Sequence, residues 1–223
     1  MICIGCAIIL VVGFLHFKNR SSTQQVSDQN PPASGGPVFD TTVSDGTIIV
    51  SYPSLQYGLA TNRAQVLVTS YIPPCDEGFS YCLYATSSAY KGTNFESAGI
   101  RIQKRTDLAA ERACLNTPPA GFDASVKPDA STSTGAYASS KFAQVGDAGA
   151  GHYANGSLYR LFYRKNSSCY EFETRIGESQ FMNYPAGTIK EFTVADREAV
   201  QSQLVQILDK VTLLSGDTHL FAF

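Results

Sequence analysis

Histidine is scarce in this chain, tryptophan is absent, and only 16% of its 223 residues are charged. Each shortage closes off some chemistry. Beyond the first forty residues only His152 and His219 can serve as imidazole bases, so nucleophilic catalysis has few options. The cysteines that follow the N-terminal segment include no Cys-x-x-Cys pair, the spacing a zinc site usually wants. Basic residues do not cluster beyond 101–105, and the net charge is -2 with a pI near 5.9. Nucleic-acid binding therefore lacks its electrostatic footprint. The glycine run at 146–156 has neither the Gly-x-Gly-x-x-Gly spacing nor a Gly-Lys-Ser/Thr ending, which argues for a flexible connection rather than phosphate binding. Asp147 within it has no partnered carboxylates, so calcium is not indicated. No cofactor or metal is implied, and no internal repeat is visible.

What is present begins with an apolar N-terminus. Residues 2–17 are hydrophobic apart from His16, near the lower length limit of a bilayer span. The segment has no polar face and no Ala-x-Ala cleavage site follows it, which favours an uncleaved anchor or signal over residues 1–18. Residues 19–44 are rich in Ser, Gln, Pro and Gly and read as a disordered linker. Lys18 and Arg20 follow the span, so the positive-inside rule alone would leave the domain in the cytoplasm. The linker composition and an even number of domain cysteines favour the opposite, extracytoplasmic side.

The domain is expected over residues 45–216, with 217–223 as a fraying tail. Its centre is 158–176, two alternating aromatic-rich arms around Lys165-Asn-Ser-Ser168, a β-hairpin pattern. A turn at Asn166 and Ser167 would pair Tyr163 with Tyr170, Leu161 with Phe172 and Tyr159 with Thr174 on a core face. The other face would carry Arg160 opposite Glu173, with Arg164 diagonal to Glu171. Further strands are expected at 47–52, 65–71, 95–104 and 141–145. Residues 55–62, 120–137 and 146–156 read as connections, and 107–115 as a short helix. Thr193-Val-Ala-Asp196 resembles a capping box. After it Val200, Leu204, Ile207, Leu208, Val211 and Leu214 form one apolar stripe ended by Ser215-Gly216. The fold class is α+β: an antiparallel sheet of about five to seven strands, packed by a long C-terminal helix.

Four cysteines lie in the domain, and three pairings are possible. The short gap favours Cys75 with Cys82, leaving Cys114 to join Cys169. Tyr81, Tyr84 and Tyr90 cluster near the first pair and make a candidate protein-binding surface. His152 is the one candidate base for a Cys or Ser nucleophile, against the plainer reading of an exposed loop histidine. Glu171 and Glu173 share a strand face; ion pairing with Arg160, Arg164 and Arg175 is expected there rather than acid–base work. Asn155-Gly-Ser and Asn166-Ser-Ser match glycosylation sequons.

Ile48-Ile-Val-Ser-Tyr-Pro53 near the start, Cys169-Tyr-Glu-Phe-Glu-Thr174 late, and a closing amphipathic helix recur in an order that resembles the PsbP-like group of small exported domains. The resemblance spans about residues 47–214 and rests on element order. It implies an antiparallel sheet against helices, and a binding or assembly role without catalysis. The chain departs from the group in lacking a tryptophan after the first strand's proline and in having a loop closed by cysteines. The expected function is thus a membrane-anchored extracytoplasmic binding or assembly module. Its membrane contact would run through residues 2–17, and its partner would be an envelope protein. The alternative is a cell-envelope hydrolase using a Cys or Ser nucleophile with His152.

Overall fold

In the computed structural model, residues 37–60, 80–86, 89–120 and 123–221 are described. The expected anchor, most of the linker, the strand expected at 65–71 and Cys75 lie outside them. All the described residues belong to one compact unit, Pro37–Phe223. Among them no helix is long and apolar enough to cross a membrane.

Ten strands are found among the described residues. They are β1 (Thr41–Ser44), β2 (Ile48–Tyr52), β3 (Tyr57–Ala60), β4 (Tyr81–Ala85), β5 (Phe95–Lys104), β6 (Ala130–Ser133), β7 (Tyr137–Gly149), β8 (His152–Tyr163), β9 (Ser168–Ser179) and β10 (Val211–Leu213). The helices are α1 (Glu111–Asn116) and α2 (Val194–Asp209). The strands pair antiparallel in two sheets, a seven-stranded one ordered β3-β4-β5-β9-β8-β7-β6 and a three-stranded one ordered β1-β2-β10. The described residues are therefore mixed but sheet-dominated, with antiparallel sheets and the expected long C-terminal helix. The small second sheet is an addition to the expected architecture.

One face of the large sheet is apolar. Leu83, Ile100, Ile102, Tyr159, Leu161, Tyr170, Phe172 and Ile176 form a continuous core with Val200, Leu204, Ile207 and Leu208 of α2 and with Ile48, Val50, Val211 and Leu213 of the small sheet. Helix α2 packs on β9 and β5 and on β2. Thr193 caps it: its Oγ1 accepts from Asp196 N at 3.2 Å, while Thr193 N donates to Asp196 Oδ2 at 2.8 Å. Asp does here what Glu usually does in a capping box. Tyr170 OH donates to Asp45 Oδ2 at 2.7 Å and pins the small sheet to the large one.

The opposite face carries α1 and the Cys114–Cys169 disulfide, which closes a 55-residue separation. In the chain-entropy account a loop of that size restricts the unfolded state by about 4 kcal/mol. Cys82 is also disulfide-bonded; its expected partner, Cys75, lies outside the described residues.

Several expectations change. The hairpin keeps its faces, but its register moves by two residues, pairing Leu161 with Tyr170, Tyr159 with Phe172 and Tyr163 with Ser168. Residues Arg164–Asn166 form a 3-10 turn, and Ser167 takes φ +51°, so the loop holds four residues rather than two. A shift of two preserves the side of every residue. The supposed connection at 146–156 is instead the end of β7 and the start of β8, turned at Ala150 (φ +51°) and Gly151 (φ +80°). Residues expected to be linker or connection form edge strands β1, β3 and β6, because pairing partners supplied by distant sequence order them. The helix expected at 107–115 divides into a 3-10 turn, Thr106–Leu108, and α1. The stripe read as one helix ends at Asp209: Val211 and Leu213 point into the core from β10, and Leu214 is 55% exposed.

The tail, expected to fray, is packed at Leu220 and Phe221. Both are buried, with the Phe221 ring 5.6 Å from Tyr159 and 5.1 Å from Phe172. Ser139 Oγ donates to Leu220 O at 2.5 Å. Phe221→Ala is therefore expected to destabilise the domain by about 3 kcal/mol, read as a lower urea midpoint at unchanged slope; a change under about 0.5 kcal/mol would return the tail to the solvent.

A charged cavity as the candidate functional site

Alternation places Gly99, Arg101 and Gln103 of β5 on the face away from the main core, beside Arg175, Glu173 and Glu171 of β9. On the far side of β9 stand Gly156, Leu158 and Arg160 of β8, followed by Phe142 and Ser140 of β7. Three cross-strand rows result: Gln103–Glu171–Arg160–Ser140, Arg101–Glu173–Leu158–Phe142 and Gly99–Arg175–Gly156. Of these residues Arg101, Gln103, Leu158, Glu171, Glu173 and Arg175 line a cavity of about 590 Å³, together with Arg105, Asp107, Pro119 and Ala120.

The sequence suggested a solvated charged face. Instead it is buried: Arg160 is fully enclosed, and Glu171, Glu173 and Arg175 are each under 9% exposed. Charges withdrawn from water must be paired. Arg160 Nε donates to Glu171 Oε2 at 2.6 Å, and its Nη1 donates to the carbonyls of Cys114 at 2.9 Å and Thr117 at 3.1 Å. It thereby satisfies carbonyls at the C-terminal end of α1, where positive charge is favoured. Its guanidinium lies 5.5 Å from the Phe142 ring centre. Burial pushes the Arg160 pKa down, and Glu171 opposes that shift.

Glu171 Oε2 takes a second donor, Arg105 Nη1, at 2.7 Å. Arg105 also forks Asp107 through Nε at 2.9 Å and Nη2 at 2.7 Å. That fork raises the Arg105 pKa and holds the Asp107 carboxyl below its ordinary range. Glu173 accepts from Arg101 Nη2. Arg175 Nε comes within 3.0 Å of Glu173 Oε1 but is buried without a hydrogen bond aligned on it. Both glutamates are thus ion-paired, as the strand pattern led one to expect, though Arg160 faces Glu171 rather than Glu173. Arg164, placed by the sequence diagonal to Glu171, leaves the strand in the turn and forks Glu111 of α1 at 2.8 and 2.7 Å.

The other candidates scatter. Cys114 and Cys169 are bonded to each other, and Cys169 pairs with Phe162, ten residues along β8 from His152 and roughly 33 Å of strand away. His152 Nδ1 lies 2.5 Å from Glu96 Oε1, and Ser179 stands opposite His152 in the register. Ser179 Oγ is engaged by Asn94 O at 3.2 Å and Tyr184 OH at 2.9 Å. The three tyrosines do not make one surface. Tyr81 points to the core side and donates to Ser44 O at 3.0 Å, while Tyr90 packs against Phe95 and Phe192. Tyr84 is on the charged face, in the row of Gly99 and Arg175, over Gly58. Alternation separates Tyr81 from Tyr84, since three positions along a strand reverse the side. Among the described residues no group of three metal-ligating side chains comes together.

Sequence reasoning missed Arg101, Arg105 and Asp107 as site residues. The period-two spacing of Arg101, Gln103 and Arg105 was the available signal. The chain matches no protein-family model and no curated protein.

Glu171→Gln keeps the shape but leaves Arg105 and Arg160 without their shared anion. It is expected to cost about 3–5 kcal/mol of unfolding free energy, and the double change Arg160→Met, Glu171→Met to recover most of that. A neutral Glu171→Gln would show the pair to be incidental. Asp107 and Glu111 are both lowered by arginine partners. Carboxyls depressed in the folded state stabilise above their unfolded values and lose that contribution as pH falls through the folded ones. The melting temperature should accordingly fall from about pH 4.5 downward, and Asp107→Asn should flatten that slope; an identical slope in the variant would remove Asp107 from the account.

Proposed function

We propose that this chain is a membrane-anchored extracytoplasmic binding module that acts without catalysis and holds its ligand in the cavity over β5, β9 and β8. The observation that carries this reading is the cavity itself: about 590 Å³ in volume and lined by three arginines and three carboxylates, among them Arg175, whose Nε has no aligned acceptor among the described residues. Its size falls within the range of small-molecule sites. Each glutamate on its floor is already held by arginine, which suits a rigid charged lining better than a proton carrier.

The extracytoplasmic side is supported by the disulfides at Cys114–Cys169 and at Cys82, since such bonds persist in oxidising compartments. The apolar stretch 2–17 supports the membrane anchor. The likeness in element order to PsbP-like domains, mostly binding or assembly factors, points the same way. Of the hydrolase alternative, the cysteine branch conflicts with the disulfides, which leave no thiolate among the described residues. What is left of it is Ser179 beside the His152–Glu96 pair.

Alkylating the full chain from its native membrane without reductant, then recording intact mass, tests the compartment. Cys82, Cys114 and Cys169 are expected to stay unlabelled until reduction. Labelling of all three before reduction would place the domain in a reducing compartment and end this reading.

A further inference from the structure

We propose a second binding site, for an uncharged oligosaccharide laid along the groove between the open flank of α2 and β8. It lies on the opposite face of the large sheet from the charged cavity and goes beyond the reading given above.

On its core side β8 changes character along its length. Tyr159, Leu161 and Tyr163 are buried. The same side continues through Ser157 and Asn155, both half-buried, to Tyr153, which is 38% exposed. Coverage explains the change, because α2 packs chiefly on β9, β5 and β2. A cavity of about 760 Å³ is left beside the helix, with Lys141, Asn155, Ser157 and Ile176 on its floor. Its wall is the α2 flank from Arg197 to Asp209, roughly 18 Å of helix. The groove is therefore elongated, and an extended chain of several sugars fills it better than one sugar does.

The charges of the lining disfavour a highly charged ligand of either sign. Asp129, Glu198 and Asp209 stand exposed on the rim, and none of the three takes part in an ion pair among the described residues. They repel a polyanion. Within the groove Arg197 is already held, its Nη2 donating to Glu178 Oε1 at 2.6 Å. Lys141 is half-buried with its Nζ 5.7 Å from the centre of the Tyr159 ring. Solvated rim carboxylates attract a polycation weakly, whereas an ammonium on the floor repels it at lower dielectric.

Neutral hydrogen bonding is what the groove offers. Gln201, Ser202 and Gln206 line it from α2, and none of these side chains has a hydrogen-bond partner among the described residues. Amides and hydroxyls both donate and accept, as the vicinal hydroxyls of a sugar require. An extended peptide would look for unpaired backbone at a strand edge. The floor instead is the face of β8, whose backbone is paired with β7 on one side and β9 on the other. Ile176 and Val205 supply apolar contact for the C–H faces of sugar rings, and the exposed ring of Tyr153 extends the floor beyond Asn155.

The test uses calorimetry on the full-length, disulfide-intact chain in a detergent without a sugar headgroup. Chitohexaose and cellohexaose are the probes, with N-acetylglucosamine, hexalysine, hexaglutamate and a Gly-Ser hexapeptide for comparison. At least one hexasaccharide is expected to bind, more tightly than the monosaccharide or any of the three peptides. The double change Gln201→Ala, Gln206→Ala should weaken it about tenfold or more. It should leave the melting temperature in place, since alanine favours the helix. Tyr153→Ala, at an exposed position, should weaken it severalfold. Tighter binding of any of the peptides would overturn the saccharide assignment. Hexasaccharide binding indifferent to both variants would overturn the assignment of this groove. No binding of either hexasaccharide would overturn the inference and leave the reading of the charged cavity as it stands.

Discussion

Arg160 is the constraint around which the far side of the sheet is arranged. A guanidinium with no solvent exposure is tolerable only if its donors find acceptors, and two different parts of the chain supply them. Glu171 comes from the neighbouring strand, and the carbonyls of Cys114 and Thr117 come from α1 and the residue that ends it. The same requirement positions the helix. Placed there, α1 brings Cys114 within bonding range of Cys169 and lays residues 117–120 along the edge of the charged rows. The disulfide and the arginine reinforce each other: one ties the helix covalently, the other orients its carbonyl end.

From this the cavity follows. The charged rows are enclosed where α1 and the segment after it rise at their edge. Low exposure strengthens electrostatics among the groups that remain. The apolar face of the same sheet does the opposite work. It buries aromatic and aliphatic side chains under α2 and the small sheet, and holds the strands in the register that aligns the charges behind them. A single two-residue alternation therefore builds a core and a charged site back to back.

The binding proposal and its rival differ in which end of β8 matters. The charged rows occupy its middle and later half, beneath α1. His152 and Glu96 lie at its start, where β5 carries an irregularity between Phe95 and Ser97. The ion-paired floor lies at the first of these places, and so does Tyr84, the one tyrosine of the three that shares its face.

The fold class, the strand at 95–104, the central hairpin, the capped helix and the Cys114–Cys169 pairing were legible in the sequence, because each rests on local periodicity, capping chemistry or the count of available cysteines. The sides of the hairpin were also legible, since parity survives a slip of two residues. Its register was not, for it depends on how Arg164 to Ser167 turn and on which carboxylate Arg160 meets once packed. Edge strands β1, β3 and β6, the split of the helical stripe into α2 and β10, and the burial of Leu220 and Phe221 were decided by distant partners that local pattern cannot reveal. The candidate site belongs to the second group. The alternation of Arg101, Gln103, Arg105, Glu171, Glu173 and Arg175 is written in the chain, and read alone it describes a wet face. Burial, which turns those charges into a site, required α1 and residues 117–120 to close over them, and that is a property of the tertiary structure.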